Sequence, residues 1–272
     1  MTRVAVVGHV EWVEFVRMRA YPARGAVTHA VDAFIHAGGG AVVAAAVLAE
    51  LGAEVDFFCA LGRDANGEAA AAELATRGVN VHAAWREQPT RRVFTMLEVD
   101  GPRTIVTIGD RLEPDGGDEL DWERLDGADG VYITAGDPAA VDRARKARVL
   151  VSTPRAREAL EISPAAIDAL VFSGSDEDEQ RWARRLQART KLMVETEGAH
   201  GGRWWGRSEG RWPSVAPPGP RQDDYGCGDS FAAGFTFGLA AGMSVLDAAA
   251  VGAQQGARTL TLVGAPRRLD AG

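Results

Sequence analysis

The 272-residue chain predicts an α/β fold built on a mostly parallel sheet. Short apolar runs, several of them closed by glycine, read as buried parallel strands. Segments rich in Ala, Val and Leu that stop at a glycine read as helices. The two alternate at the spacing of βαβ units. At this length the chain suits one large α/β domain or two small ones.

In chain order, Val4–Val7 is an apolar run ended by Gly8, a first strand. Ala41–Leu51 before Gly52 is a helix, Val55–Ala60 the next strand, and Gly67–Arg77 before Gly78 the next helix. Residues 9–36 and 91–108 break the alternation. The first carries β-type and turn residues without helical period, and the second reads as two strands around Asp100-Gly101-Pro102. Both are expected to form a small β-sheet standing off the main one, a candidate lid. Strands resume at Gly130–Thr134, Val149–Ser152, Ala169–Ser173 and Lys191–Glu195. Arg203–Trp212 reads as a hairpin, and the chain from Val245 as a helix followed by a strand over Thr259–Val263.

With 46% hydrophobic and 25% charged residues the composition is that of an ordinary soluble globular protein. A net charge of −8 argues against nucleic acid as a partner, while leaving room for a small anion held by local dipoles. Two distant cysteines, Cys59 and Cys227, exclude a disulfide scaffold. The start runs directly into a strand, and the longest apolar stretch, near 41–49, is too short to span a bilayer. No membrane association and a cytoplasmic location are expected.

The most informative stretch is Asp223-Asp224-Tyr225-Gly226-Cys227-Gly228-Asp229, followed by Phe231, Phe235 and Leu239 at helical spacing. A turn of small residues opening a helix is a natural anion site, because free N–H groups and the helix dipole point at the bound charge. A carboxylate at Asp229, beside such a hole, makes sense as the base that takes a proton from an attacking hydroxyl in phosphoryl transfer. Taken alone, the Asp is equally a helix cap and the turn an ordinary loop. Gly38-Gly39-Gly40 opens the 41–51 helix and offers a second close approach to backbone. Thr196-Glu197-Gly198-Ala199-His200-Gly201 after a strand is an ordinary turn or a nucleotide-binding loop. The acidic run Asp176–Glu179 reads as the first turn of a helix, with a metal role through bound water as the alternative. The five histidines show no ligand spacing, and no Walker-type phosphate loop or nucleophile elbow occurs.

These motifs, in order along nearly the whole chain, resemble those of the PfkB or ribokinase-like carbohydrate kinases. Gly38-Gly39 through Leu51-Gly52 resembles the family's N-terminal signature. Leu61–Gly67 with Gly78-Val79 resembles the following strand–loop–helix, and Asp223–Asp229 the C-terminal signature. The resemblance implies one ribokinase-like domain over 1–272: a three-layer αβα sandwich with a mostly parallel central sheet and a small β-sheet lid from about 9–36 and 91–108.

It further implies ATP with Mg2+ as the phosphate donor and a small sugar or nucleoside as acceptor. Asp229 would be the base, and Gly226, Cys227 and Gly228 the anion hole. Thr196, Gly198 and Gly201 would lie at the nucleotide, and Gly38, Gly39 and Gly40 against the acceptor. Asp223 matches a position that in some members helps hold a monovalent cation. Several positions depart from the family. Val43 stands where an Asn usually touches sugar hydroxyls, and Glu11 and Glu14 stand in for an Asp expected after Gly8. Ser173-Gly174-Ser175-Asp176 is the nearest equivalent of the Asn-X-X-Glu motif that organises magnesium-bound water, which makes Asp176 the candidate there. Asp224 replaces Thr, and Cys227 replaces Ala.

The reading that follows is an ATP-dependent kinase acting on a hydroxymethyl group of a sugar-like or nucleoside-like molecule. Its alternative is a nucleotide- or sugar-binding regulatory protein on the same fold. A homodimer through the lid sheet is expected. A Rossmann dehydrogenase is disfavoured, because Gly-His-Val-Glu-Trp after the first strand lacks the glycine spacing a pyrophosphate needs.

Overall fold

The computed structural model describes residues 1–98 and 103–264. The Asp100-Gly101-Pro102 turn lies outside them. The chain opens with β1 (Arg3–Val7), β2 (Glu11–Met18) and β3 (Asp32–Gly38), then α1 (Gly40–Glu50), β4 (Glu54–Gly62), α2 (Ala65–Thr76) and β5 (Val79–Arg86). β6 (Arg92–Glu98), β7 (Arg103–Ile108), β8 (Gly130–Ile133) and α3 (Pro138–Ala144) follow, then β9 (Leu150–Ser152), α4 (Arg157–Ile162), β10 (Ala169–Ser173) and α5 (Glu177–Leu186). The last elements are β11 (Leu192–Thr196), β12 (Gly202–Gly206), β13 (Gly210–Trp212), α6 (Cys227–Ala240) and α7 (Val245–Thr259).

Nine strands form one sheet in the order β13-β12-β11-β10-β9-β8-β1-β4-β5. Every pairing from β11 to β5 is parallel; β12 and β13 close the other edge as an antiparallel hairpin. The alternation of β1 shows the layering. Val4 and Val6 enter a core with α1, α6 and α7, while Ala5 and Val7 enter a second core with α3, α4 and α5. A sheet buried on both faces between helices is the three-layer sandwich that the near-continuous apolar strands predict. From β1 the chain winds outward to β5, then returns to lay β8 on the other side of β1. That reversal leaves a crevice at the carboxyl ends of β1 and β8, where open α/β sheets bind ligands.

The segments that break the alternation form a separate four-stranded sheet, β3-β2-β6-β7. Its inner row, Phe34, Phe15, Thr95 and Ile105, is set by register. Phe15, Val13 and Val93 pack with Val43 of α1 and Tyr225, which anchors the small sheet above the crevice.

One expected element is absent. Thr259 is the last residue of α7, and residues 260–263 form turns instead of a strand. The amides of Thr261 and Leu262 donate to Arg258 and Thr259, and the Leu260 carbonyl accepts from Gln222. The alternating Thr-Leu-Thr-Leu pattern therefore satisfies its backbone locally, without a strand alongside. The acidic run is the first turn of α5, with Asp176 as its cap.

Candidate active site

Helix caps point to the site. Among the described residues, four of the six helices longer than six residues have a side chain accepting a first-turn N–H: Asp64 for α2, Asp137 for α3, Asp176 for α5 and Ser244 for α7. The other two, α1 and α6, begin at Gly39 and Gly226 with no side-chain cap. Both of those ends open into one cavity of about 350 Å³ at the carboxyl edge of the sheet, roofed by β7 of the small sheet. Uncapped N–H groups facing a cavity are free to bind an anion.

Gly226 adopts φ 74°, the left-handed conformation that glycine tolerates best, and a Cβ there would lie 2.8 Å from Val43. Val43 thus supports the turn from below and is not on the cavity wall. Around Gly228 there is open space, with nothing within 4 Å of a Cβ built on it. The Cys227 thiol is pushed up to about 12, by burial first and then by the Asp223 charge, so it stays protonated.

Asp229, in the first turn of α6, is only 8% exposed. The Tyr132 hydroxyl donates to its Oδ1 at 3.3 Å. Burial, and then the Asp229 charge, raise the Tyr132 phenol well above its ordinary range, so it acts as a fixed donor. A Cβ on Gly40 would lie 2.5 Å from Asp229 Oδ1, so the bare backbone of α1 lets the carboxylate sit at that helix end. Arg155, just past β9, also lines the cavity. The Asp229 charge is the main reason that its guanidinium holds its proton more firmly than usual. Arg155 Nε also donates to Glu179 at 3.3 Å, and the other Glu179 oxygen accepts the Ser173 amide at 2.9 Å.

At the other end of the cavity stand His9, Glu11, Arg91 and Arg111. Burial works against the Glu11 charge, but His9, Arg91 and Arg111 outweigh it and hold the carboxyl below its usual range. Asp224 pairs with Arg103 of β7 and, at 3.5 Å, with Arg221. The charge that replaces the family's Thr is therefore met by the small sheet.

Of the residues singled out in the sequence, the structure brings Glu11, Gly39, Gly40, Thr196, Gly226, Cys227, Gly228 and Asp229 onto one cavity wall. Gly38 lies one step behind, at the end of β3, against Val13 and the Tyr225 hydroxyl. Gly198 and Gly201 sit in the turn beyond Thr196, off the wall, and both have positive φ. Asp176 spends its carboxylate on the amides of Asp178 and Glu179 and lies outside the cavity; Glu179 of the same run reaches it. Asp223 is buried behind the turn, accepting the amides of Tyr225 and Gly264, and burial raises its carboxyl despite those bonds. Glu14 lies in the middle of β2, away from the wall. Among the described residues, no group of three His, Cys, Asp or Glu is placed to hold a metal ion directly.

Sequence reasoning missed Tyr132, Arg91, Arg103, Arg111 and Arg155. One signal was available: Arg155 comes three residues after a buried parallel strand, at the edge where such sheets bind ligands.

Comparison with known proteins decides the family. Residues 1–150 and 143–270 match the model of the pfkB family of carbohydrate kinases. The chain belongs to this family. It is 28% identical over 265 residues to the ATP-dependent ribose-1-phosphate kinase of Halopiger xanaduensis, covering 86% of this chain and 84% of that one. A 79-residue stretch is 40% identical to acarbose 7(IV)-phosphotransferase of an Actinoplanes species, spanning 28% of this chain and about a quarter of that relative's length, 26%. The solved ribokinase of Arabidopsis thaliana, complexed with ribose and ATP, superposes with a TM-score of 0.74 at 21% identity, covering 97% of this chain and 95% of that one. The pfkB architecture here is thus the ribokinase-like sandwich with its small separate sheet.

Proposed function

We propose that this pfkB protein transfers the terminal phosphoryl group of ATP to a hydroxymethyl group of a small sugar-like or nucleoside-like molecule, with Asp229 as the base. The observation that carries the proposal is the placement of Asp229. A buried carboxylate, steadied by Tyr132, lies where two uncapped helix ends meet in one cavity. In this reading Asp229 accepts the hydroxyl proton as the acceptor oxygen attacks the terminal phosphorus. The bond to the bridging oxygen breaks and ADP leaves. The amides of Gly226, Cys227 and Gly228 and the Arg155 guanidinium meet the charge on the transferring group, for which one well-placed donor typically contributes ~3 kcal/mol. The Cys227 amide also donates to the Asp224 carbonyl at 3.4 Å.

ATP fits the far side of the cavity, toward Thr196 and the turn at Gly198 and Gly201. The Halopiger relative is by name ATP-dependent, which supports the same donor. Mg2+ would neutralise phosphate charge when bound with ATP. Glu179, already engaged by Ser173 and Arg155, suits a role through water rather than direct ligation. An assay coupling ADP release to a panel of sugars, sugar acids and nucleosides tests the reading. One acceptor class is expected to give turnover, and silence across the panel with ATP bound would overturn it.

The small sheet serves as the lid, shutting water out of the cavity. Besides its packing on Tyr225, it meets the segment leading into the anion-hole turn through the Arg103–Asp224 pair, with Arg103 6.0 Å above the Tyr225 ring. Asp224→Asn removes that pair. Because a half-exposed pair contributes at most about 1 kcal/mol, melting should barely change. The fraction of ADP released without acceptor phosphorylation should rise severalfold, and an unchanged ratio would remove the pair from closure.

A second copy fits the outer face of the same sheet. The cross-strand row Ile35, Glu14, Phe94 and Val106 lies there, and Ile35, Val106 and Ile108 are each about half exposed. An apolar sheet face of this kind favours burial against its own kind. Light scattering should show a dimer for the parent and a shift toward monomer for Val106→Asp.

A further inference from the structure

The cavity at Asp229 adjoins a second one, of about 420 Å³, lined by the loops that follow β7, β8 and β9, by Arg91 just before β6 and by α4. Three residues line both cavities, and all three are arginines: Arg91, Arg111 and Arg155. In a chain of net charge −8, three guanidinium groups converge on this junction, each paired with a single carboxylate. From that convergence, and resting on the kinase reading above, we infer that the acceptor carries an anionic group of its own. The group is a phosphate or a carboxylate, seated at this junction while the acceptor's hydroxymethyl group faces Asp229.

The arginines are only partly engaged within the protein. Arg91 Nη1 stands 3.6 Å from Glu11, Arg111 pairs with Glu113, and Arg155 meets Glu179 at 3.3 Å. Each guanidinium offers five N–H donors in a planar fork, so one carboxylate apiece leaves donors to spare. Arg91 Nε is buried and has no hydrogen-bond partner among the described residues. An unpaired buried donor costs free energy that a bound oxyanion would recover.

The position of Arg91 and Arg111 separates their role from phosphate binding by ATP, while Arg155, beside Asp229, borders both sites. Arg91 and Arg111 act on Glu11, at the end of the cavity where α1 begins. The second cavity touches no residue of the Gly226–Gly228 turn, of β10 or of the segment at Thr196, so it leads away from the nucleotide side. A rigid fork also distinguishes anionic from neutral acceptors more sharply than the flexible point charge of a lysine.

The test compares neutral sugars with their anionic derivatives: D-ribose and D-galactose, their 1-phosphates and their aldonic acids, each with MgATP. The kcat/KM for an anionic member is expected to exceed that of its neutral partner. Arg111→Gln and Arg91→Gln should each lower that ratio by roughly ten- to a hundredfold, as loss of a charge-assisted hydrogen bond predicts. The parent's preference between phosphate and acid tells which anion the junction takes. Calorimetric titration of the same sugar phosphates, without nucleotide, should show weaker binding in both variants. Neutral and anionic acceptors used equally well, with ratios unmoved in both variants, would overturn the inference. If no acceptor is phosphorylated, the kinase reading fails separately and the calorimetry still decides. Sugar-phosphate binding weakened by the substitutions upholds the arginine junction, and absent or unaltered binding overturns it.

Discussion

Asp229→Asn is expected to lower kcat by roughly 10²–10⁴-fold while leaving the KM for ATP near that of the parent. The substitution is nearly isosteric. The asparagine oxygen can still accept from Tyr132, as Asp229 Oδ1 does at 3.3 Å, so the fold and the cavity should survive. What is lost is the carboxylate proposed to take the proton. Arg155 supplies a control. Its guanidinium owes its strengthened charge mainly to Asp229, and in the variant it no longer faces that carboxylate. Binding of anionic nucleotide should therefore hold or improve while turnover collapses. Single-turnover kinetics at saturating ATP would show it directly, and a variant with more than a tenth of the parent rate would remove Asp229 from the proton-transfer role.

Gly40→Ala is expected to cost nearly as much by a different route. The added Cβ would fall 2.5 Å from Asp229 Oδ1 and 2.9 Å from Oδ2, distances no real methyl group tolerates. Either the carboxylate or the end of α1 must shift, and a displacement of about 1 Å at a reacting group can cost on the order of 10²-fold in rate. Stability should not fall in step, because alanine is the better helix former by up to about 1 kcal/mol. A melting temperature at or near the parent's, with kcat reduced a hundredfold, is the expected pair of readings. Full activity in Gly40→Ala would mean that Asp229 does not need this contact.

The two variants test different levels of the same site. Asp229 stood out in the sequence because a charged residue after Gly-Cys-Gly at a helix start is chemically odd. The closeness of Gly40 was not legible there. Gly38-Gly39-Gly40 showed only that something could approach, and nothing local said that it would be a carboxylate 189 positions later. Val43 shows the same limit in reverse. It stood at a position expected to touch an acceptor, yet its side chain packs beneath Gly226, because its place on α1 faces the small sheet and not the cavity. The acidic run behaved as its first-turn reading predicts for Asp176, while Glu179, one helical turn on, reaches the cavity.

Taken by itself, the sequence determined the elements and their order: parallel strands from continuous apolar runs, helices closed by glycine, the hairpin of tryptophans, and the two segments that leave the alternation. These are local properties, set by periodicity, by turn chemistry and by where a glycine is tolerated. Tertiary structure alone decided what depends on convergence. It denied Thr259–Val263 a strand, since an alternating pattern cannot show whether a partner lies alongside, and the backbone there is satisfied by turns. It gathered Arg91, Arg111 and Arg155 from separate loops into one junction. Arg91 and Arg111 meet because β6 and β7 pair antiparallel, with Arg92 opposite Ile108. Arg155 joins them only because the chain returns past β1 to β8 and β9, a return that no window of sequence contains.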